Sequence, residues 1–354
     1  MNKKIPAVLA ALLLSAAALN AQKGFSLRLA GGYAWPGFLK TESIMGPRVD
    51  PKNPYSDALV PMADIEHPND SINSYKLTRG SYGQGMNFTL GLGYQINRYF
   101  GVELGVSYLK SATIGCKQNY ELIYDAGGGF FAHSPYTMSV DMKTNAFGLQ
   151  VSPAIYVQAA KPGWKVYPYA RVGVSLPVYG GLTHTIDIHI QDEVFTEAPA
   201  IATILGKSPY FLGNNTKVTL KTEGTVSLGV NGAVGVKYEP LPFMGVFAEV
   251  NGQYLVTRAK RSDITQWDVD GVSKLDARGP YRTMFNYVDE LTPSSNNGDN
   301  NKDINGKPKF DPNKAKDDIR PTGPFSNIGI NIGVSFVFGK ETLKKKEKTK
   351  PANQ

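Results

Sequence analysis

The stretch SNIGINIGVSFVF, Ser326 to Phe338, stands close to the end of a 354-residue chain. From Ile328 onward every second residue is large and apolar: Ile328, Ile330, Ile332, Val334, Phe336 and Phe338. Those between are small or polar, Gly329, Asn331, Gly333 and Ser335, with Val337 as the exception. A period of two marks a β-strand with two unlike faces. One face here is greasy and the other nearly empty.

Seven earlier segments alternate in the same way: Phe25–Trp35, Met86–Ile96, Phe100–Tyr108, Phe147–Val157, Val166–Val178, Val226–Tyr238 and Met244–Val256. Their connections alternate too. Short ones join the second and third segments (97–99), the fourth and fifth (159–164) and the sixth and seventh (239–243). Long ones cover 37–83, 114–143, 179–221 and 258–325. An up-and-down barrel in an outer membrane requires this rhythm of short periplasmic turns and long external loops.

Charge decides between lipid and core as the medium facing the apolar column. The eight segments offer about fifty positions on that face at alternate spacing. With 19% of the chain charged, about nine or ten of them would carry charge by chance, and none does. The opposite face carries Arg28, Glu103, Arg171, Lys237 and Glu249. A soluble lipocalin-like barrel would turn the apolar column inward and leave an exterior of Gly, Ser and Asn, poor in Lys and Glu. The expected fold is therefore all-β: a transmembrane up-and-down antiparallel barrel of eight strands with long extracellular loops. Odd segments run outward, which puts Tyr33, Trp35, Tyr108 and Tyr254 at the external end. Tyr94 and Tyr238 fall at the periplasmic end, completing two aromatic girdles.

The start of the chain reads as a secretory signal. Lys3 and Lys4 precede the apolar run Ile5–Leu14, and small residues lead to Ala21, after which cleavage is expected. The organisation then becomes a signal peptide at 1–21, a barrel domain at 22–338 and a Lys-rich periplasmic tail at 339–354. The sole cysteine, Cys116, excludes a disulfide-stapled scaffold. The tail residues 340–354 carry six Lys and two Glu, half of the net charge of +8, and no basic face points to nucleic acid.

In these features the sequence resembles the small eight-stranded outer-membrane barrels of Gram-negative bacteria, the OmpA/OmpX type. The most specific part is Asn331-x-Gly333-x-x-Phe336-x-Phe338, which is similar to the terminal label that the barrel-assembly machinery reads in its clients. The resemblance implies residence in the cell outer membrane. It implies outer-membrane lipid and the assembly machinery as partners, and a surface protein or envelope complex as a further one. It also implies that the inward charges form an internal cluster like the one proposed as a gate in OmpA-like barrels. Sixteen residues follow the terminal aromatic here, a departure from that pattern.

Beyond the membrane, alternation continues through Ile114, Cys116 and Tyr120, through Met138, Val140 and Met142, and from Leu182 to Ile190. Strands 3 to 6 should project as hairpins. The fourth segment changes parity before Phe147, which predicts a bulge near Lys143 to Ala146. Tyr281, Met284, Phe285, Val288 and Leu291 stand at helical spacing between Pro280 and Pro293, which predicts a short amphipathic helix. Loops 37–83 and 258–325 are long enough to add strands and widen the barrel.

Candidate chemistry is sparse, and neither a cofactor nor a metal site is expected. Arg28, Glu103, Arg171 and Glu249 alternate in sign at similar depth on strands 1, 3, 5 and 7, as an ion-pair network across the lumen would. His184 and His189 face opposite ways in a strand and make a poor zinc pair, and His133 lies at a loop tip. Asp299 to Gly306 has part of a calcium-loop rhythm but Ile304 where the sixth-place Gly belongs. Pro153 and Pro168, counted back from the 159–164 turn, fall near each other on paired strands and would weaken a seam. The reading is a non-enzymatic integral barrel with a structural, adhesive or partner-docking role. The alternatives are a lipid A-modifying enzyme entered between strands 4 and 5, and an accessory barrel of an envelope transport or secretion complex.

Overall fold

The computed structural model describes residues 24–37, 42–48, 56–67, 72–97, 99–124, 134–159, 164–191, 215–241 and 243–338. The signal segment and the Lys-rich tail lie outside them, as do His133 and residues 193–206, where the sequence leaves room for another apolar turn or two. Eight strands form the wall: β1 (Phe25–Pro36), β2 (Gly85–Gln95), β3 (Phe100–Ser111), β4 (Ser134–Gln158), β5 (Val166–Gln191), β6 (Gly229–Leu241), β7 (Met244–Tyr254) and β8 (Asn327–Phe338). Each pairs antiparallel with the next. Strand β8 then closes on β1, with Phe25 opposite Phe338 and Trp35 opposite Ile328. Closure leaves no edge, which a sheet immersed in hydrocarbon requires. Only a single helical turn, Pro280–Thr283, occurs among the described residues.

Strands β4 and β5 are 25 and 26 residues long, more than twice what a membrane needs. Their upper halves form the middle of a sheet that stands above the barrel. On one side the 114–124 strand pairs with β4, then 63–67 in parallel, then 74–77. On the other side 215–224 pairs with β5, followed by 256–269, 284–288 and, in parallel, 316–319. The long loops do hold further strands, most of which join the projecting sheet, while 42–43 with 79–80 and 45–48 with 56–61 form two separate pairs, and the wall keeps its eight. The helix expected over 280–293 is cut to the one turn Pro280–Thr283, after which Met284–Val288 is strand and buries Phe285 and Tyr287 at period two. The open edge of 256–269 offered a ladder, and pairing there prevailed over helical spacing.

The apolar column changes sides where the strands leave the membrane. Low in the wall it faces out: Val172, Val234 and Ile332 are exposed. Above, it faces in: Cys116, Met138, Val140, Ile186, Ile188 and Val218 are buried around Trp267, Tyr82 and Phe285. Hydrocarbon lies outside the lower part and water outside the upper, so the greasy side must reverse.

The strands make this reversal differently. On β3 a break at Ala112–Thr113 turns the chain. On β4 the ladder runs without a break from Thr137 to Leu149. The change of parity before Phe147 is therefore a change of face, and no bulge lies at Lys143–Ala146. The bulge is on β5, where Leu149 pairs with Tyr179 and Gln150 with Pro177, leaving Val178 over. That extra residue carries an unbroken sequence parity from the lipid side to the core side.

Burial of the upper core also silences Cys116, whose thiol is pushed up to about 11. A Lys placed at Val172 or Ile332, both 67% exposed, should cost about 2–4 kcal/mol near the bilayer midplane. Asn119→Lys, on the water-facing side of the projecting sheet, should stay within about 0.5 kcal/mol. Urea titrations of the barrel folded into lipid vesicles measure both.

Candidate functional site

Four charged side chains from four alternate strands meet in the lumen. The Arg28 guanidinium on β1 reaches Glu103 on β3 and Glu249 on β7, each at 2.9 Å. Arg171 on β5 reaches the same two carboxylates at 2.7 and 2.8 Å. Each arginine bridges both glutamates, which makes a closed square of two cations and two anions. All four are shielded from solvent, Glu249 most of all with a side chain 1% exposed. Buried charge is tolerable only with such complete pairing and added hydrogen bonds.

The additional bonds come from neighbours on the same inward parity. The Tyr169 hydroxyl donates to Glu249 at 2.8 Å and accepts from Arg28 at 3.0 Å. The Asn331 amide donates to Glu249 at 3.1 Å. The Phe247 ring lies against the Arg28 guanidinium, 4.2 Å from its centroid. None of Tyr169, Phe247 and Asn331 was assigned to the network from sequence, although all three share the parity of the charges.

Luminal glycines make the space. A Cβ at Gly91 would sit 3.1 Å from the Glu103 carboxyl group, one at Gly235 2.8 Å from the Tyr169 ring, and one at Gly333 2.6 Å from the Phe247 ring. The small column of the closing strand is thus the complement of large side chains opposite. Two cavities flank the square. One of about 30 Å³ is lined by Arg28, Glu103 and Tyr169, and one of about 60 Å³ by Arg171 and Asn331.

Lys237 stands apart from the square. It lies toward the periplasmic end, with Glu239 at 3.0 Å and Gln158 at 3.3 Å. Grouping it with the other four was an error of depth: five charges on one parity do not share one level. Glu239 was missed because it follows the last alternating residue of its segment.

Residues 7–273 match the family described as the outer membrane protein beta-barrel domain. The chain belongs to that family. No curated protein matches it. Among solved structures it is similar to Ail, the attachment invasion locus protein of Yersinia pestis, at 9% identity, 90% of this chain, 99% of that one and a TM-score of 0.23. The same protein in complex with the heparin analogue sucrose octasulfate gives 10% identity, 89% and 99% coverage and a TM-score of 0.24.

In this outer-membrane barrel the girdle residues Tyr33, Trp35, Tyr94, Tyr108, Tyr238 and Tyr254 are all exposed on the outer face. Trp164, Tyr179 and Phe243 are exposed with them. On β8, Asn331 is buried in the lumen, while Phe338 ends the lipid-facing column opposite Phe25. Gly333 faces Ala30 and Phe247, and Phe336 faces Leu27 and Met244.

The two prolines do not meet. The β4–β5 ladder ends at Gln158–Tyr169, so the turn is centred later than the spacing suggested. Pro153 sits opposite Leu104 on β3, and Pro168 opposite Val236 on β6. The Pro168 carbonyl still accepts from Ala159 at 2.9 Å. The two prolines therefore form no shared weak seam between β4 and β5.

The histidines part as their spacing requires. His189 is exposed beside Asn215, and His184 is buried with Nδ1 2.8 Å from the Thr144 hydroxyl. In the 299–306 loop, Asp299 is held by Lys316 at 2.8 Å, and Asp303 accepts backbone bonds from Asn305 and Lys307.

Replacing Arg28 by Met strands two buried carboxylates and should destabilise the barrel by about 3–5 kcal/mol. Adding Glu103→Gln and Glu249→Gln to that variant should recover much of the loss. Vesicle-based unfolding of the single and combined variants tests this. Burial holds His184 neutral, with its pKa lowered to about 4 from 6.5. The unfolded chain binds the extra proton between those values, so stability of the projecting sheet falls as pH drops through that window, by on the order of 3 kcal/mol. Protection factors for hydrogen exchange in 181–191, corrected for the intrinsic rate at each pH, should fall between pH 7 and pH 4, and His184→Leu should flatten that dependence.

Proposed function

We propose that this outer-membrane barrel is a non-enzymatic surface protein that docks a protein partner on the outer face of its projecting sheet. One observation carries the reading. Lys117, Asp141, Asp187, Lys217 and Asp268 lie opposite one another on five successive strands, a single rung of charge on the water-facing side. The rung lines a shallow depression with Asn119 and His189. Between members of the rung the one ion pair among the described residues is Lys217 to Asp187 at 3.8 Å, with both side chains about half exposed, while Asp141 pairs with Lys143 on its own strand at 3.1 Å and Asp268 accepts from Gln266 at 2.6 Å. Charges held in register but little used on one another suit electrostatic complementarity with a partner.

The lumen supports the same reading. An eight-stranded barrel is just wide enough for its own side chains, and here the square and its aromatic neighbours occupy it. The four luminal charges act as a plug that braces the wall. Asn331, Gly333, Phe336 and Phe338 serve insertion as the terminal label, and residues 1–21 direct export with cleavage after Ala21.

The test is cross-linking on intact cells followed by purification of the full chain. A discrete partner should appear with the native protein and be lost in the K117E/K217E double variant, with heat-modifiable gel migration unchanged. Absence of any specific partner, or a steady open conductance in planar bilayers, would overturn the proposal.

A further inference from the structure

The wall of the barrel is interrupted at one height. The β5–β6 ladder runs from Val166–Tyr238 to Ser175–Gly229 and stops. Strand β5 next finds a partner at Gly181, opposite Glu223 of the 215–224 strand. Between these points Leu176 to Gly180 have no ladder partner on that side, and Thr225 to Leu228 form no strand. Backbone left unpaired at membrane depth is tolerated only where it lines a cavity or is buried.

A cavity lies behind the lapse. It offers about 100 Å³ of free space and is open to the outside. Its inner wall includes Tyr82, Leu182, Leu255 and Phe325, and His184 borders it. His184 is neutral at ordinary pH, so it brings no charge into the cavity. Its Nε2 has no hydrogen-bond partner among the described residues.

The residues at the mouth show what medium stands outside. Val178, Tyr179, Val226 and Leu228 are 54%, 66%, 78% and 71% exposed. They are the top of the lipid-facing column, so the neighbour at the opening is hydrocarbon rather than water. Arg258 lies at the rim and is exposed. It stands just above that column, where lipid headgroups begin.

We propose that this lateral window between β5 and β6 admits one acyl chain of an outer-leaflet lipid, with the anionic headgroup held at Arg258. The end of the chain fills the apolar cavity. A lipid so placed ties the foot of the projecting sheet to the membrane surface. The inference is independent of the docking face, which lies on the opposite side of the sheet wall from the cavity.

The experiment uses the full chain folded into phosphatidylcholine vesicles whose acyl chains are brominated. Trp35→Phe and Trp164→Phe remove the tryptophans exposed to lipid, and Phe325→Trp places a reporter on the cavity wall. Trp267 remains as a control in the dry core, where it is 0% exposed. Contact with a bromine-bearing chain should remove roughly half of the emission added by the reporter and leave that of Trp267 unchanged. Gly148→Phe should then abolish the quenching, because Gly148 borders the cavity and a Cβ there meets nothing within 4 Å. A reporter no more quenched than Trp267 overturns the proposal, with or without the plugging variant. Quenching that persists at full strength in a folded Gly148→Phe barrel overturns it as well.

Discussion

Every backbone N–H and C=O at membrane depth must find its partner within the protein, because hydrocarbon offers none. For a sheet this means closure, and closure is the contact from which the rest of this molecule follows. Strand β8 has to lie on β1, so the last alternating segment must carry the same greasy outer face as the first. Once the cylinder is closed with few strands, its interior is narrow. The small residues on β8 are then a consequence of the large ones across from them.

The interior is solved as a problem of volume and charge together. Arg28, Glu103, Arg171 and Glu249 come from alternate strands, so each cation has an anion on either side. The square is neutral as a whole, and Tyr169, Asn331 and Phe247 fill around it. Gly91, Gly235 and Gly333 yield the room. Removing one member would leave a charge without its counterpart in a place that water reaches poorly, which is why pairing here is all or nothing.

Much of this was legible in the residues alone. A column of about fifty positions without a charge identifies lipid as the neighbour, and the alternation of short and long connections supplies the topology. The four luminal charges could be placed by parity and depth. What escaped was anything that depends on which way a parity points. Sequence alternation cannot tell an inward column from an outward one, so the continuous even positions from Leu176 to Ile190 concealed the bulge at Val178. The broken parity on β4 suggested a bulge where the ladder is regular. Register across a turn is equally hidden: the Pro153–Pro168 seam dissolved once the turn was centred two residues later. Tyr281 to Leu291 showed helical spacing because Phe285 and Tyr287 satisfy a strand pattern at the same time, and only the waiting edge of 256–269 chose between them.

The reversal of the greasy face fixes more than local side-chain direction. It sets the depth at which the molecule floats. Sinking by two residues would carry Lys110, Lys143 and Arg258 toward hydrocarbon, and rising by two would expose Val226 and Leu228 to water. Both displacements raise the free energy, so the barrel sits at one draught. From Phe147, the first lipid-facing residue of β4, to Asp141 is six strand residues, roughly 20 Å of rise along the strand. The projecting sheet is thus held like a mast of constant height, level from one copy of the protein to the next across the cell surface.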